Sequence, residues 1–256
     1  MCSILGYFNT KLPFDEIVKL NLSMKHRGVD DSTVKEYRFK DKKLYFGHNR
    51  LSIQDLATHA NQPMENEKFA IVFNGEIYNH LEIRRDLKYQ NFKTSSDTET
   101  ILWAFTQFGI EETISKFIGM FAIALYDKTK QKVYLVRDRF GKKPLYFTMV
   151  DDTLYFSSEN QAFFESGLIK KEFNDEAIYH YLTFLTVPAP QTFFKNVDKV
   201  YVVSLFYTGE SVLNSNILNY DFIKENILNY DIENDEPVNN IEFYTVKSLK
   251  VEKCPY

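Results

Sequence analysis

The hydrophobic pattern opens with a short apolar run, Ser3 to Phe8, that stops at Asn9-Thr10 and predicts a buried strand. From Phe14 the pattern turns helical. Asp15 and Glu16 fall in the first turn, His26-Arg27 near the end, and Gly28 is placed to cap it. Leu44 to Ile53 reads as a strand running into an irregular polar segment, and 54–67 as a loop rich in Asn, Asp and His. Phe69 to Phe73 is continuously apolar. The Asn74-Gly75 that follows is a strong turn dipeptide, leading into a helix from Tyr78 to Lys88.

Thr94-Ser95-Ser96-Asp97 offers an N-cap for a helix from Thr98 to Phe108, stopped by Gly109, and Glu111 to Phe117 gives a second short helix. Gly119 to Tyr126, Lys132 to Val136, Leu145 to Val150 and Thr153 to Phe156 look like successive antiparallel strands. Asn160 to Glu165 and Asp175 to Leu185 are helical again. Strands, helices, strands, helices is not a βαβ alternation, and it predicts a layered α+β sandwich. After about Val200 the character changes. Asn216-Ile217-Leu218-Asn219-Tyr220-Asp221 recurs as Asn226 to Asp231, which reads as local bias and not as a repeat architecture. Residues 231–240 are acidic and polar, as an exposed linker would be. Val202 to Tyr207 is strand-like and suits a sheet edge or a partner.

Composition narrows the class. A chain of 256 residues, 44% hydrophobic and 26% charged, can bury a sizeable core as one large domain or two small ones. A net charge of −4 argues against a nucleic-acid surface, which needs a dense basic face. Two cysteines, Cys2 and Cys254, make no disulfide framework and suit a reducing compartment. There is no apolar run long enough to span a bilayer and no signal-peptide pattern, so no membrane is expected and the default location is cytoplasmic. No glycine-rich phosphate loop occurs.

The candidate chemistry starts at Cys2. Removal of Met1 would leave one residue carrying a thiol and the free α-amine, which titrate at about 8.5 and about 7.7–8.0. That puts a nucleophile and a base together; the competing reading is a small core residue. Asn74-Gly75 could aim a side-chain and a backbone N–H at one point, as an oxyanion hole requires, or be a plain turn. Arg50 could clamp a carboxylate or be a surface arginine. Asp97 could hold an ammonium or cap a helix. His26, His48, His59 and His80 have no metal-ligand spacing, so no metal is expected. Arg137-Asp138-Arg139 with Lys142-Lys143 reads as internal ion pairs after a buried strand.

Taken together and in order, these stretches resemble the N-terminal glutaminase domain of asparagine synthetases, class II glutamine amidotransferases of the N-terminal-nucleophile hydrolase fold. The resemblance rests on Met1-Cys2, His26-Arg27-Gly28-Val29-Asp30, Arg50-Leu51-Ser52-Ile53, Gln62-Pro63-Met64 and Asn74-Gly75-Glu76-Ile77-Tyr78-Asn79. It continues with Ser96-Asp97-Thr98-Glu99, Gly119-Met120-Phe121-Ala122, the block from Arg137 to Tyr146, and Phe156-Ser157-Ser158-Glu159. It implies a four-layer αββα sandwich and hydrolysis of L-glutamine to glutamate and ammonia through a thioester on Cys2. Asn74 and Gly75 would form the oxyanion hole and Arg50 would bind the α-carboxylate. Glu76 and Asp97 would hold the α-ammonium, and backbone from Leu51, Ser52, Ile53 and Gln54 would line the pocket, with no cofactor.

The departures are Val29, where the family usually has Pro, and Tyr201-Val202-Val203, where it runs into Pro-Gly. The ATP-dependent synthetase half has no counterpart. Residues 2–205 are therefore expected to form the glutaminase domain, and 206–256 a divergent tail left from the linker toward the synthetase half. The expected partner is a separate synthetase chain that receives ammonia, with a homodimer left open. Two alternatives stand: a decayed or regulatory fragment without activity, and a transferase feeding a sugar-phosphate or phosphoribosyl acceptor.

Overall fold

The computed structural model describes residues 1–39, 42–151, 153–201, 204–208 and 213–217. Strand β1 (Ser3–Phe8) is buried along its whole length. Successive side chains of a strand point to opposite faces, so Ile4 and Phe8 enter one apolar layer while Leu5 and Tyr7 enter another. A strand covered on both faces has no solvent side, which is why Ile4 to Phe8 carries no charged side chain and its one hydroxyl, on Tyr7, donates to the Ala162 carbonyl.

β1 pairs antiparallel with β3 (Lys42–Arg50) on one side and with β9 (Thr153–Ser157) on the other. β3 continues to β2 (Asp31–Phe39), and β9 to β8 (Tyr146–Val150) and β10 (Asp198–Lys199), completing the first sheet. The second sheet runs β4 (Met64–Glu65), β5 (Phe69–Ile77), β6 (Gly119–Asp127), β7 (Lys132–Arg137), β11 (Ser204–Thr208) and β12 (Leu213–Ile217). Between the sheets, Ile4, Phe46 and Phe156 pack against Val72, Ala124 and Leu135. Helices α1 (Phe14–Leu22) and α5 (Gln161–Glu165) cover the first sheet, setting Ile17, Leu20 and Phe163 on Leu5, Tyr7 and Tyr45. Helices α2 (His80–Arg85), α3 (Asp97–Phe108) and α4 (Ile110–Lys116) cover the second, with Ile83, Ile101, Phe105 and Ile114 over Ile71, Phe73 and Ile123. The expected αββα order of layers is the observed one.

Several features depart from the sequence pattern. Asn74-Gly75 is not a turn: β5 runs through it to Ile77, and Gly75 pairs with Phe121. A Cβ on Gly75 would lie 2.2 Å from the Met120 carbonyl, so glycine answers a close strand approach. Gly28 follows a 3-10 turn, Lys25–Arg27, in extended backbone and not at the end of α1. A Cβ there would meet the Asn49 carbonyl at 2.4 Å. β2 was hidden in the sequence because, among its described side chains, only Tyr37 is buried. Finally, β7 and β8 are consecutive in the chain but lie in different sheets.

Arg137 and Asp138 hold that crossover without pairing with each other. Arg137 donates to the carbonyls of Gly141, Lys143 and Val200, and Asp138 accepts N–H bonds from Phe121, Phe140, Lys142 and Lys143. Buried charge is met by backbone dipoles here, correcting the expected ion pairs.

Helix α6 (Asp175–Phe184) buries only Ala177 and ends at Leu185 with a left-handed φ of 57°. Of the predicted strand at Val202 to Tyr207, Ser204 to Tyr207 lies in β11, seated on β7, and Val202-Val203 lie outside the described residues. The second copy of the recurring hexapeptide and the acidic stretch 231–240 lie outside the described residues. Among the described residues no helix is long and apolar enough to cross a membrane.

Candidate active site

The ends of β1, β3 and β5 and the start of α3 meet at a pocket of about 100 Å³. Cys2, Arg50, Leu51, Ile53, Gln54, Asn74, Gly75, Glu76 and Asp97 all line it. Ser52 does not. Its N–H donates to Asp30 at 2.6 Å, and the Asp30 N–H donates to the Arg50 carbonyl, so this pair shapes the bend after β3.

Cys2 is half-buried just ahead of β1. Its sulfur accepts the Leu51 N–H at 3.4 Å and lies 3.7 Å from the Leu51 carbonyl. Arg27 donates to the Cys2 carbonyl at 3.2 Å and pairs with Glu159 at 3.0 Å. Ser158 closes the other side: its hydroxyl accepts the Ile4 N–H, and its own N–H donates to the Ile4 carbonyl. The His-Arg-Gly and Phe-Ser-Ser-Glu stretches thus anchor the start of the chain.

Asn74 is 1% exposed, and its Nδ2 has no hydrogen-bond partner. A buried donor left unpaired costs roughly 1–3 kcal/mol, so an isolated fold gains nothing from it. The neighbouring Phe73 is fixed from both sides. Its N–H donates to Gln62 at 2.6 Å, and its carbonyl accepts from His48 Nε2 at 3.3 Å. That bond requires the Nε2-protonated tautomer of His48, and full burial pushes its pKa down to about 3. Gln62 also donates to Thr98, tying β5 to α3.

Asp97 opens α3 but does not cap it; the cap is Ser96, which accepts the Glu99 N–H. Asp97 instead accepts the Ile77 N–H at 3.0 Å. Burial, reinforced by the negative charge of Glu76, raises its carboxyl to about 6, against the pull of its N–H donors. Arg84 fixes the segment before it by donating to the carbonyls of Thr94 and Ser96. Glu76 accepts a bond from the Gln54 amide at 2.9 Å.

Arg50 is buried and faces the loop beyond it. Nη1 donates to the Ala57 carbonyl and Asn61, and Nη2 to the carbonyls of Gln54 and Asp55. In this conformation Arg50 organises the pocket wall.

Reasoning from sequence missed Gln62, Met120 and Lys143, which also line the pocket. Each lay inside a matching block, but no chemical signal in the residue type pointed to the site. The pocket offers two acids, Glu76 and Asp97, and two cations, Arg50 and Lys143, around a thiol and an unpaired amide donor. That charge pattern complements a small zwitterion. Among the described residues there is no cluster fit to hold a metal ion.

Comparison with known proteins identifies the family and the fold. A family model described as "Glutamine amidotransferase domain" matches residues 1–216. Asparagine synthetase [glutamine-hydrolyzing] 1 of Bacillus subtilis (strain 168) is 39% identical over 211 residues, 78% of this chain and 32% of its own length. A putative asparagine synthetase [glutamine-hydrolyzing] 2 of Methanocaldococcus jannaschii is 33% identical over 220 residues, 78% of this chain and 42% of its own length. The chain therefore spans about a third to two fifths of these relatives. Among solved structures, the glutamine phosphoribosylpyrophosphate amidotransferase of B. subtilis superposes with a TM-score of 0.63 at 17% identity. That match covers 84% of this chain and 48% of the other, and carries the fold alone.

Proposed function

This chain belongs to the glutamine amidotransferase domain family, in its class II, asparagine synthetase-like branch, and on that premise we propose that it hydrolyses L-glutamine to glutamate and ammonia through a thioester on Cys2. With Met1 removed, the Cys2 α-amine takes the thiol proton and the sulfur attacks the side-chain amide carbon. The oxyanion that forms accepts from Asn74 Nδ2 and the Gly75 N–H. When the tetrahedral species collapses, the C–N bond breaks and the α-ammonium returns its proton to the leaving nitrogen, releasing ammonia. Water then attacks the thioester, the α-amine takes its proton, and glutamate leaves with the thiol restored.

Binding follows the charge pattern. Asp97 and Glu76 hold the substrate α-ammonium. Arg50 takes the α-carboxylate, exchanging part of its hold on the 54–61 loop for it. Backbone from Leu51 to Gln54 closes the wall. The ammonia passes to a synthetase-type partner, a reading supported by relatives named as glutamine-hydrolysing asparagine synthetases that are more than twice as long as the matched region.

One observation carries the proposal: the unpaired, buried Nδ2 of Asn74 lines the same small pocket as the Cys2 thiol. The direct test is an acid-quenched reaction with glutamine, followed by peptide mass mapping. A γ-glutamyl adduct on the Cys2 peptide, with Met1 absent, is the expected result. A chain that keeps Met1 and never acquires the adduct would favour a non-catalytic module instead.

A further inference from the structure

Lys143 is a buried cation without an acid. It is 5% exposed and lines the pocket beside Cys2. Its Nζ makes one hydrogen bond, to the Met1 sulfur at 3.3 Å, and a thioether is a weak acceptor. Among the described residues it forms no ion pair. Its position is nonetheless firmly set. The Lys143 N–H donates to Asp138 at 3.0 Å and its carbonyl accepts from Arg137 Nε at 2.8 Å.

The other charges near Cys2 are committed elsewhere. Arg27 is neutralised by Glu159, which also bonds His26. Arg50 serves its loop, Glu76 accepts from Gln54, and Asp97 accepts from the Ile77 N–H. Asp138 is turned onto backbone N–H groups. Lys143 is thus a cation at this end of the pocket with no ion-pair partner among the described residues, and Asp138 and Glu76 act on it only at longer range through their charge. Removing Met1 would delete its one acceptor and leave the ammonium beside a newly freed α-amine.

We propose that Lys143 is a positioning charge for the Cys2 α-amine, holding it neutral and able to accept a proton around neutral pH. The inference rests on the glutaminase reading above for the purpose of that amine. Two cations in one small pocket repel, so a fixed ammonium disfavours a second one. Burial lowers the Lys143 pKa and the Arg27 charge adds to that, while Cys2, Asp138 and Glu76 raise it. With Met1 in place, its thioether accepts from Lys143 Nζ instead.

The test uses full-length chain released from a cleavable leader so that Cys2 is the first residue, checked by intact mass. With the thiol capped by a methanethiosulfonate, acetylation of the α-amine by trace acetic anhydride is followed against pH by mass spectrometry. In Lys143→Met the inflection should move up by on the order of one pH unit, and Lys143→Arg should restore it. An inflection that stays put in Lys143→Met overturns the proposal, as does an equal shift in both variants, which would mark packing and not charge. Because labelling needs no turnover, a shift in a chain that releases no glutamate would sink the glutaminase reading and leave this one standing. Where turnover is present, the acid limb of kcat/KM should move with the label.

Discussion

An unpaired donor in a dry site is a standing cost to the fold, and Asn74 carries it one residue from a glycine that cannot be replaced without parting two strands. The glutaminase account assigns the missing acceptor to the transition state. Asn74→Ala should therefore lower kcat by roughly 10²–10³-fold with little change in KM or in the unfolding midpoint. Loss of KM alone would point to a binding role instead. Asp97 supplies a second expectation. Its carboxyl sits at about 6 in the free protein, and a bound α-ammonium favours the ionised form. Glutamine affinity should therefore be full above about pH 7 and weaken as pH falls through 6, approaching tenfold per unit. Calorimetry on the Cys2→Ala protein checks the sign through proton release on binding near pH 6.

At the scale of elements, β5 links chemistry to stability. His48 on β3 holds the Phe73 carbonyl of β5 across the interface between the sheets. Its ring is neutral when folded, at about 3, against 6.5 for an unperturbed histidine. Between those values the unfolded chain binds a proton that the native one refuses. The His48 contribution to stability is thus full above pH 6.5 and falls with decreasing pH by up to ~1.4 kcal/mol per unit. Urea midpoints measured from pH 7 to 4 should show a shallower slope in His48→Gln.

The same strand marks what residue patterns can convey. Cys2, Arg50, Asn74 and Asp97 were legible because their residue types matched one chemistry in one order, yet each had a bland rival until the fold placed them in one pocket. Asn74-Gly75 read as a turn because the dipeptide usually is one. The close approach of β6 that decides otherwise is a tertiary fact. β2 hid behind its polar face, and Lys143 read as part of a set of internal ion pairs because its place beside the pocket depends on the crossover held by Arg137 and Asp138.

The whole molecule is a device for bringing distant stretches to one point. The chain crosses between two sheets, so residues 2, 50, 74 and 97 meet at the ends of strands that belong to both. A layered α+β sandwich followed from the succession of elements and its αββα order from the family resemblance, but the pairing of strands followed from neither, because an apolar run does not name its neighbour. The family match over residues 1–216 covers the sandwich, including the β11–β12 pair at the edge of the second sheet. The central claim is that this assembly makes Cys2 a nucleophile toward glutamine. The measurement that tests it most directly is glutamate release from glutamine by the Met1-free chain and by Cys2→Ala. The account predicts turnover in the former and none above background in the latter, with both proteins equally folded. Equal rates in the two would contradict it.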